Sequence, residues 1–179
     1  MAAELRVKLC RSIEIDRLIL AAEMVLQELL ALSYVPTLGI EEVEGGVCYP
    51  TTSGSIGKKD QMFVVRFRGY DEAVAIVVYE ISLHLSVPES EVGFWASVSV
   101  GAMRTPLEYV LAAGVAVALA RVAEADVIDD SLLWSQIIER APEDFIKGVR
   151  VDKDSGDICS AAEAIYAAMP AGKYDVEKG

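Results

Sequence analysis

Three runs of alternating side chains between residues 62 and 101 dominate the hydrophobic pattern of this chain. They span 62–67, 73–87 and 92–100, and the two segments between them are short and rich in Gly, Pro and acidic residues. Runs of this length with turns this short favour strands that pair antiparallel with their neighbours. The pattern therefore predicts a three-stranded antiparallel meander.

The middle run predicts which side of the meander is covered. Its odd positions, from Ala73 to Val87, are apolar throughout, whereas its even positions turn polar from Glu80 onward. Side chains alternate between the two faces of a strand, so we expect the odd face to be buried and the even face to be partly exposed. In the third run, Ser, Gly and Trp share one side, which predicts a flat surface.

Two long helices are predicted to cover the sheet. Apolar residues recur at three- and four-residue spacings over 13–32, with Ser12 as N-cap. The second helix begins with the capping box Thr-Pro-Leu-Glu at 105–108 and extends to about Ala125. On the first helix, Leu20, Met24 and Leu32 widen the apolar stripe beyond what one sheet face requires, which indicates a contact with a partner or with a second helix.

The remaining segments complete an α+β fold class with the order α-β-β-β-α-(β)-α. Residues 5–10 could form a short edge strand or simply lead into the first helix, and 127–128 could form another short strand. A last helix is predicted to open at a capping box that begins with Ser160. We expect a single domain over 1–179, with a long loop at 34–61 and a frayed tail at 171–179.

Charge and hydropathy narrow the classes of partner. Sixteen basic and 28 acidic residues give a net charge of −12, which repels nucleic acid and anionic lipid and attracts a basic protein. The most apolar run, 109–120, is shorter than the roughly 20 residues that a membrane-spanning helix needs, so it predicts a core helix. The N-terminus lacks the apolar region of a signal peptide, so we expect a cytoplasmic protein without membrane contact.

Residue types that carry chemistry are sparse. His84 is the only histidine, and the three cysteines have no metal-type spacing and are expected to be reduced, buried thiols. Residues 152–163 resemble a calcium loop, but Gly156 and Asp157 stand in reversed order, so a turn followed by a helix fits better. We predict no enzyme activity, no catalytic residue, no metal and no cofactor.

Two protein families resemble parts of this pattern. The helical stretch 115–124, followed by Val127, Ile128, Asp129 and Asp130 and then by Trp134, resembles the helix and acidic turn of bacterial toxin immunity proteins. The order of elements resembles that of acidic type III secretion chaperones. Both resemblances imply a protein that binds another protein without chemistry, and the second implies a homodimer.

The hypothesis from sequence is an immunity protein that binds and neutralises a basic toxin. The alternative is a secretion chaperone that holds an effector segment as a homodimer, and a small-molecule enzyme or ligand-binding protein is a distant third. Acidic side chains steer the encounter with a basic partner, and an aromatic residue anchors the complex. The predicted partner-binding residues are Glu41, Glu42, Glu44, Asp129, Asp130 and Trp134.

Overall fold

The computed structural model describes residues 4–80, 93–101, 104–134, 138–150 and 156–170 as an α+β fold. Its strands are β1 (Glu4–Leu9), β2 (Ile13–Glu14), β3 (Leu38–Glu44), β4 (Val47–Pro50), β5 (Ser55–Ile56), β6 (Met62–Phe67), β7 (Ala73–Glu80), β8 (Phe94–Val100), β9 (Val127–Ile128) and β10 (Glu139–Arg140). Its helices are α1 (Ile15–Leu30), α2 (Pro106–Ala123), α3 (Pro142–Val149) and α4 (Ile158–Ala168).

Eight of the strands form one antiparallel sheet in the order β10-β9-β1-β8-β7-β6-β3-β4, and β2 pairs with β5 separately. The consecutive strands β6, β7 and β8 are neighbours in this sheet. The sheet is larger than the predicted meander, however, and the order of elements differs from the prediction because strands precede α1 and others separate it from β6. The first strand, β1, lies inside the sheet between β8 and β9 and is not an edge strand.

One face of the sheet, here called the inner face, is packed against the helices. On β7 the inner side chains are Val74, Ile76 and Val78, which are almost fully buried. The prediction that the odd positions of this run are the covered ones is therefore wrong. Bulky β-branched side chains fill the space above the sheet, because six of the eighteen residues of the helix that packs there are alanine.

Helix α2 occupies the centre of the core, as the capping box and the apolar run predict. The Thr105 hydroxyl accepts a hydrogen bond from the Glu108 amide, the Glu108 carboxylate accepts one from the Thr105 amide, and Pro106 occupies the first turn. Among the described residues, Pro106–Ala123 is the one helix with the length and composition to span a membrane, but 89% of that window is buried within the fold. Sheet, α1, α3 and α4 all contact it.

The start of α1 differs from the prediction. Ile13 pairs with Ile56 and Glu14 with Ser55, so these residues extend as β2 and the helix begins at Ile15. Ser12 is therefore not the N-cap. The pairing of β2 with β5 keeps residues 13 and 14 extended, where the apolar spacing alone predicts helix. This pairing is a tertiary contact, so the local pattern cannot predict it.

The stretch 34–61, predicted to be a long loop, instead contains β3, β4 and β5. A two-residue turn at Gly45 and Gly46 joins β3 to β4, and both glycines have positive φ, as a type I′ hairpin turn requires. The sequence pattern did not predict β3, because its acidic residues do not alternate regularly with apolar ones. This hairpin forms one edge of the sheet.

Two helices follow β10, where the predicted order has one, and the last of them begins earlier than predicted. Helix α3 begins at Pro142, and α4 begins at Ile158 with Asp157 as its N-cap instead of opening at Ser160. Arg121 joins α1, α2 and α3 by ion pairs with Glu28 and Glu143. The predicted tail at 171–179, the strand residues 81–87, His84 and residues 152–155 of the calcium-like loop lie outside the described residues.

Candidate binding groove

A groove of about 600 Å³ lies between the first half of α1 and the β3 and β6 strands. Its volume falls within the range of pockets that hold drug-sized ligands or several side chains of a partner. Helix α1 forms one wall, β3 and the end of β6 form another, and the segment after β4 closes one end. Its apolar lining includes Ile19, Leu20, Leu38, Ile40, Pro50 and Phe67.

Helix α1 carries large apolar residues at and beside this groove that its own packing does not use. Leu18, Ala22 and Leu26 point into the core, whereas Leu20 is 61% exposed and Met24 is 60% exposed. Residues four apart lie on the same side of a helix, so Leu20 and Met24 form one apolar ridge beside the groove. An exposed pair of large apolar side chains on a rim of this kind is typical of a protein-binding surface.

Charged residues of both signs line the groove. Arg66 makes an ion pair with Glu41, with 2.9 Å between its Nη2 and the carboxylate Oε2. Glu23 accepts a hydrogen bond of 2.9 Å from the Leu38 amide, which ties α1 to the start of β3. Asp16 and Arg68 also line the groove, so three carboxylates and two guanidiniums surround the apolar floor.

Backbone hydrogen bonds fix the end of the groove formed by the segment after β4. The Thr51 amide donates to the Ile40 carbonyl at 3.0 Å and continues the β3–β4 ladder past Pro50. Three residues later, the Gly54 carbonyl accepts from the Ile15 amide at 3.1 Å and caps the first turn of α1. The groove is therefore built between elements that are tied to each other at both ends.

The first three predicted partner-binding residues lie on the same strand, β3. Glu41 lines the groove, and Glu42 and Glu44 follow it on β3, with Glu44 exposed at the hairpin. Glu41 and Glu42 alternate between the two faces of the sheet, because Glu41 pairs with Val64 and Glu42 with Phe63. Only Glu41 is therefore positioned in the groove itself.

Two of the other predicted residues lie inside the protein. Asp129 is 1% exposed and accepts hydrogen bonds from the Ser131 hydroxyl and from the Leu133 and Trp134 amides. Trp134 is also 1% exposed, and its indole donates to the Tyr109 carbonyl at 3.0 Å. Asp129 and Trp134 are thus positioned to stabilise the turn after β9, and neither reaches a partner at the surface of this fold.

Asp130, the last predicted residue, is exposed but lies far from the groove. It makes an ion pair with Arg6 on β1. Strands β9 and β3 are five steps apart in the sheet order, which at about 4.8 Å per step is about 24 Å. The six residues predicted from sequence therefore do not form one surface.

The groups with a displaced pKa lie away from the groove. Burial lowers the pKa of Arg121, but its ion pairs with Glu143 and Glu28 outweigh burial and raise it overall. The Ser160 hydroxyl and amide lower the pKa of Asp157, and burial raises the pKa of the Cys159 thiol. Within the described part of the chain, no three His, Cys, Asp or Glu side chains cluster as metal ligands.

The exposure of the cysteines differs from the prediction, whereas the apolar ridge on α1 had a signal in the sequence. Cys10, Cys48 and Cys159 are free thiols, as expected, but all three are exposed and not buried. The excess apolar width of α1 was the signal for the ridge of Leu20 and Met24. The groove itself has no signal in the sequence, since its other wall is the unrecognised strand β3.

Comparisons with protein-family models, with curated proteins and with solved structures each find no match for this chain. The groove, its charge and its exposed ridge are therefore the basis for a functional proposal.

Proposed function

We propose that this protein is a non-catalytic, acidic protein-binding module of the immunity type, which binds and neutralises a basic partner protein through the groove beside α1. The observation that carries the proposal is the ridge of Leu20 and Met24, more than half exposed, beside an apolar groove. Large apolar side chains in contact with water cost free energy, which a partner recovers by covering them.

Charge supports a basic partner. The chain carries a net charge of −12, and the acidic strand residues Glu41, Glu42 and Glu44 continue from the groove to the hairpin. Opposite charges on two proteins speed their encounter, and salt screens this attraction. Desolvated apolar anchors supply most of the affinity once the partners meet. The proposal thus assigns affinity to the ridge and the rate of encounter to the acidic strand.

The test begins with capture of a partner from the native host at low and high salt. The affinity of the purified pair is then measured by calorimetry at both salt concentrations. We expect Leu20→Ala and Met24→Ala each to weaken binding at least about tenfold, which is about 1.4 kcal/mol. The double reversal Glu42→Lys with Glu44→Lys should weaken binding at low salt and flatten its salt dependence.

Matched controls exist at the opposite edge of the sheet. Ile138 is 52% exposed, close to Leu20 and Met24 in exposure, and Glu139 beside it is an exposed acid. Ile138→Ala and Glu139→Lys should leave the affinity unchanged. Loss of binding in these controls, with full binding in the groove variants, would move the site to the far edge. A partner that binds independently of salt would contradict the proposed role of charge.

A secretion chaperone is the second candidate, and the open shape of the groove favours it. An apolar groove between a helix and a strand suits an extended segment of an unfolded partner. The two candidates differ in the form of the partner that binds. An immunity protein binds the folded toxin and abolishes its activity. A chaperone instead binds an isolated segment of the effector as tightly as it binds the whole effector.

A further inference from the structure

We propose that the outer face of the sheet, opposite the helices, pairs with the same face of a second copy of this chain. The centre of this face consists of small and apolar residues on β6, β7 and β8. They are Val64, Ala73, Ala75, Val77, Ser97 and Ser99. This face meets the groove at the Arg66–Glu41 ion pair, but the inference does not depend on the function proposed for the groove.

Cross-strand register shows that these side chains form a continuous surface. Ala75 pairs with Val64 on one side and Ser99 on the other, and Val77 pairs with Ser97 in the next row. Paired residues point to the same face of a sheet. Side chains at the centre of this face are short, and Ser97, which lies between Arg6 and Val77, is only 6% exposed.

The charged residues of this face lie at its sides. On β1, Arg6 pairs with Asp130, and its guanidinium lies 5.8 Å from the centre of the Trp95 ring. On the other side, Arg66 pairs with Glu41. Among the described residues, the face therefore has an uncharged centre and a rim that carries both signs, where Glu4 and Lys8 of β1 lie beside the two ion pairs. Protein interfaces commonly have this arrangement, in which a polar rim surrounds an apolar core.

The dimensions of the face suit a dimer. Strands β1, β8, β7, β6 and β3 are each six to eight residues long. Five strands at about 4.8 Å spacing and about 3.4 Å rise cover about 24 Å by about 20 Å. This projection is about 480 Å², and side-chain relief raises the accessible area above it, toward the roughly 800 Å² per partner of a standard interface.

The uncharged centre of this face favours a second copy of the chain over a basic protein as its partner. A basic protein is attracted to unpaired acidic groups, whereas the centre of this face has none. Two copies that each carry a net charge of −12 repel each other at most surfaces, so they can approach only where charge is absent or internally paired. A flat, uncharged centre also matches itself under a two-fold rotation, as a symmetric dimer requires.

Sedimentation equilibrium of the full chain tests this proposal. At about 100 µM protein in moderate salt, we expect a molar mass near twice the 19.3 kDa of one chain. Ala75→Arg, at the centre of the face, and Ser99→Glu, one strand away, should each weaken dimerisation at least tenfold. Met24→Arg on the α1 ridge is the control and should leave the dimer intact.

Circular dichroism and urea unfolding establish that each variant is folded before its mass is interpreted, and two variants are used so that one folded variant suffices. A wild-type chain that stays monomeric throughout the concentration series overturns the proposal. So does a dimer that persists in a folded Ala75→Arg or Ser99→Glu variant. Failure of partner binding in Met24→Arg with an intact dimer would bear on the groove alone.

Discussion

At the scale of single residues, Asp129 shows how burial changes the role of an acidic side chain. Its carboxylate accepts two backbone amides and one hydroxyl in the turn that follows β9. An amide that is buried without an acceptor costs about 1–3 kcal/mol. The neighbouring Asp130 has the same charge but is half exposed and makes one surface ion pair.

We expect Asp129→Ala to lower the free energy of unfolding by about 2 kcal/mol or more, because the Leu133 and Trp134 amides lose their acceptor. Asp130→Ala should cost less than about 1 kcal/mol, as exposed ion pairs do. Urea unfolding at neutral pH measures both changes. Equal losses in the two variants would contradict a structural role that is specific to Asp129.

At the scale of elements, the contact between α1 and α2 depends on a residue without a side chain. Gly114 lies at the centre of α2, and a Cβ atom there would lie 2.5 Å from Leu26 Cδ2 and 2.6 Å from its Cγ. Leu26 is fully buried on α1, so it cannot move away without disturbing the core. The glycine thus permits the close approach of the two helices.

Gly114→Ala should therefore lower the free energy of unfolding by about 1–3 kcal/mol, despite the better helix propensity of alanine. Gly148→Ala in α3 is the matched control, because the nearest atom there is the end of the Arg140 side chain, which can move. We expect the control to be close to neutral. Replacing Leu26 with Val in the Gly114→Ala background should recover part of the loss, since the two sites share one space.

At the scale of the whole molecule, the two proposed interfaces differ in their use of charge. The groove presents acidic residues to a basic partner, whereas the outer face presents an uncharged centre to a second copy with the same net charge. Salt screens both the attraction in the first case and the repulsion in the second.

Raising salt from about 50 mM to about 500 mM should therefore weaken partner binding and strengthen dimerisation, or leave the dimer unchanged. Calorimetry measures the first and sedimentation equilibrium the second, on the same preparation. The control is the Glu42→Lys with Glu44→Lys variant, in which the salt dependence of partner binding should fall. A dimer that dissociates at high salt would indicate that charged contacts hold it, against the interface described here.

The sequence by itself determined the elements whose signals are local. The strands β6 and β7, the capping box that opens α2, and the core position of α2 depend on alternation, on Thr105 and Glu108, and on an unbroken apolar run. Of the three residues that widen the apolar stripe of the predicted first helix, Leu20 and Met24 are exposed and Leu32 packs against the core, and the predicted contact with a partner stays a prediction. Each of these signals lies within a single element, so the sequence pattern is sufficient to predict that element.

The tertiary structure alone decided what depends on pairing between distant segments. Only the ladder between β3 and β6 makes a strand of residues that look like a polar loop, and only the sheet order separates Asp130 from Glu41 by about 24 Å. Burial of Asp129 and Trp134 and the choice of the covered face of β7 follow from what packs against them. The alternation of side chains shows which residues share a face of the sheet. What packs above each face decides which of the two faces is buried.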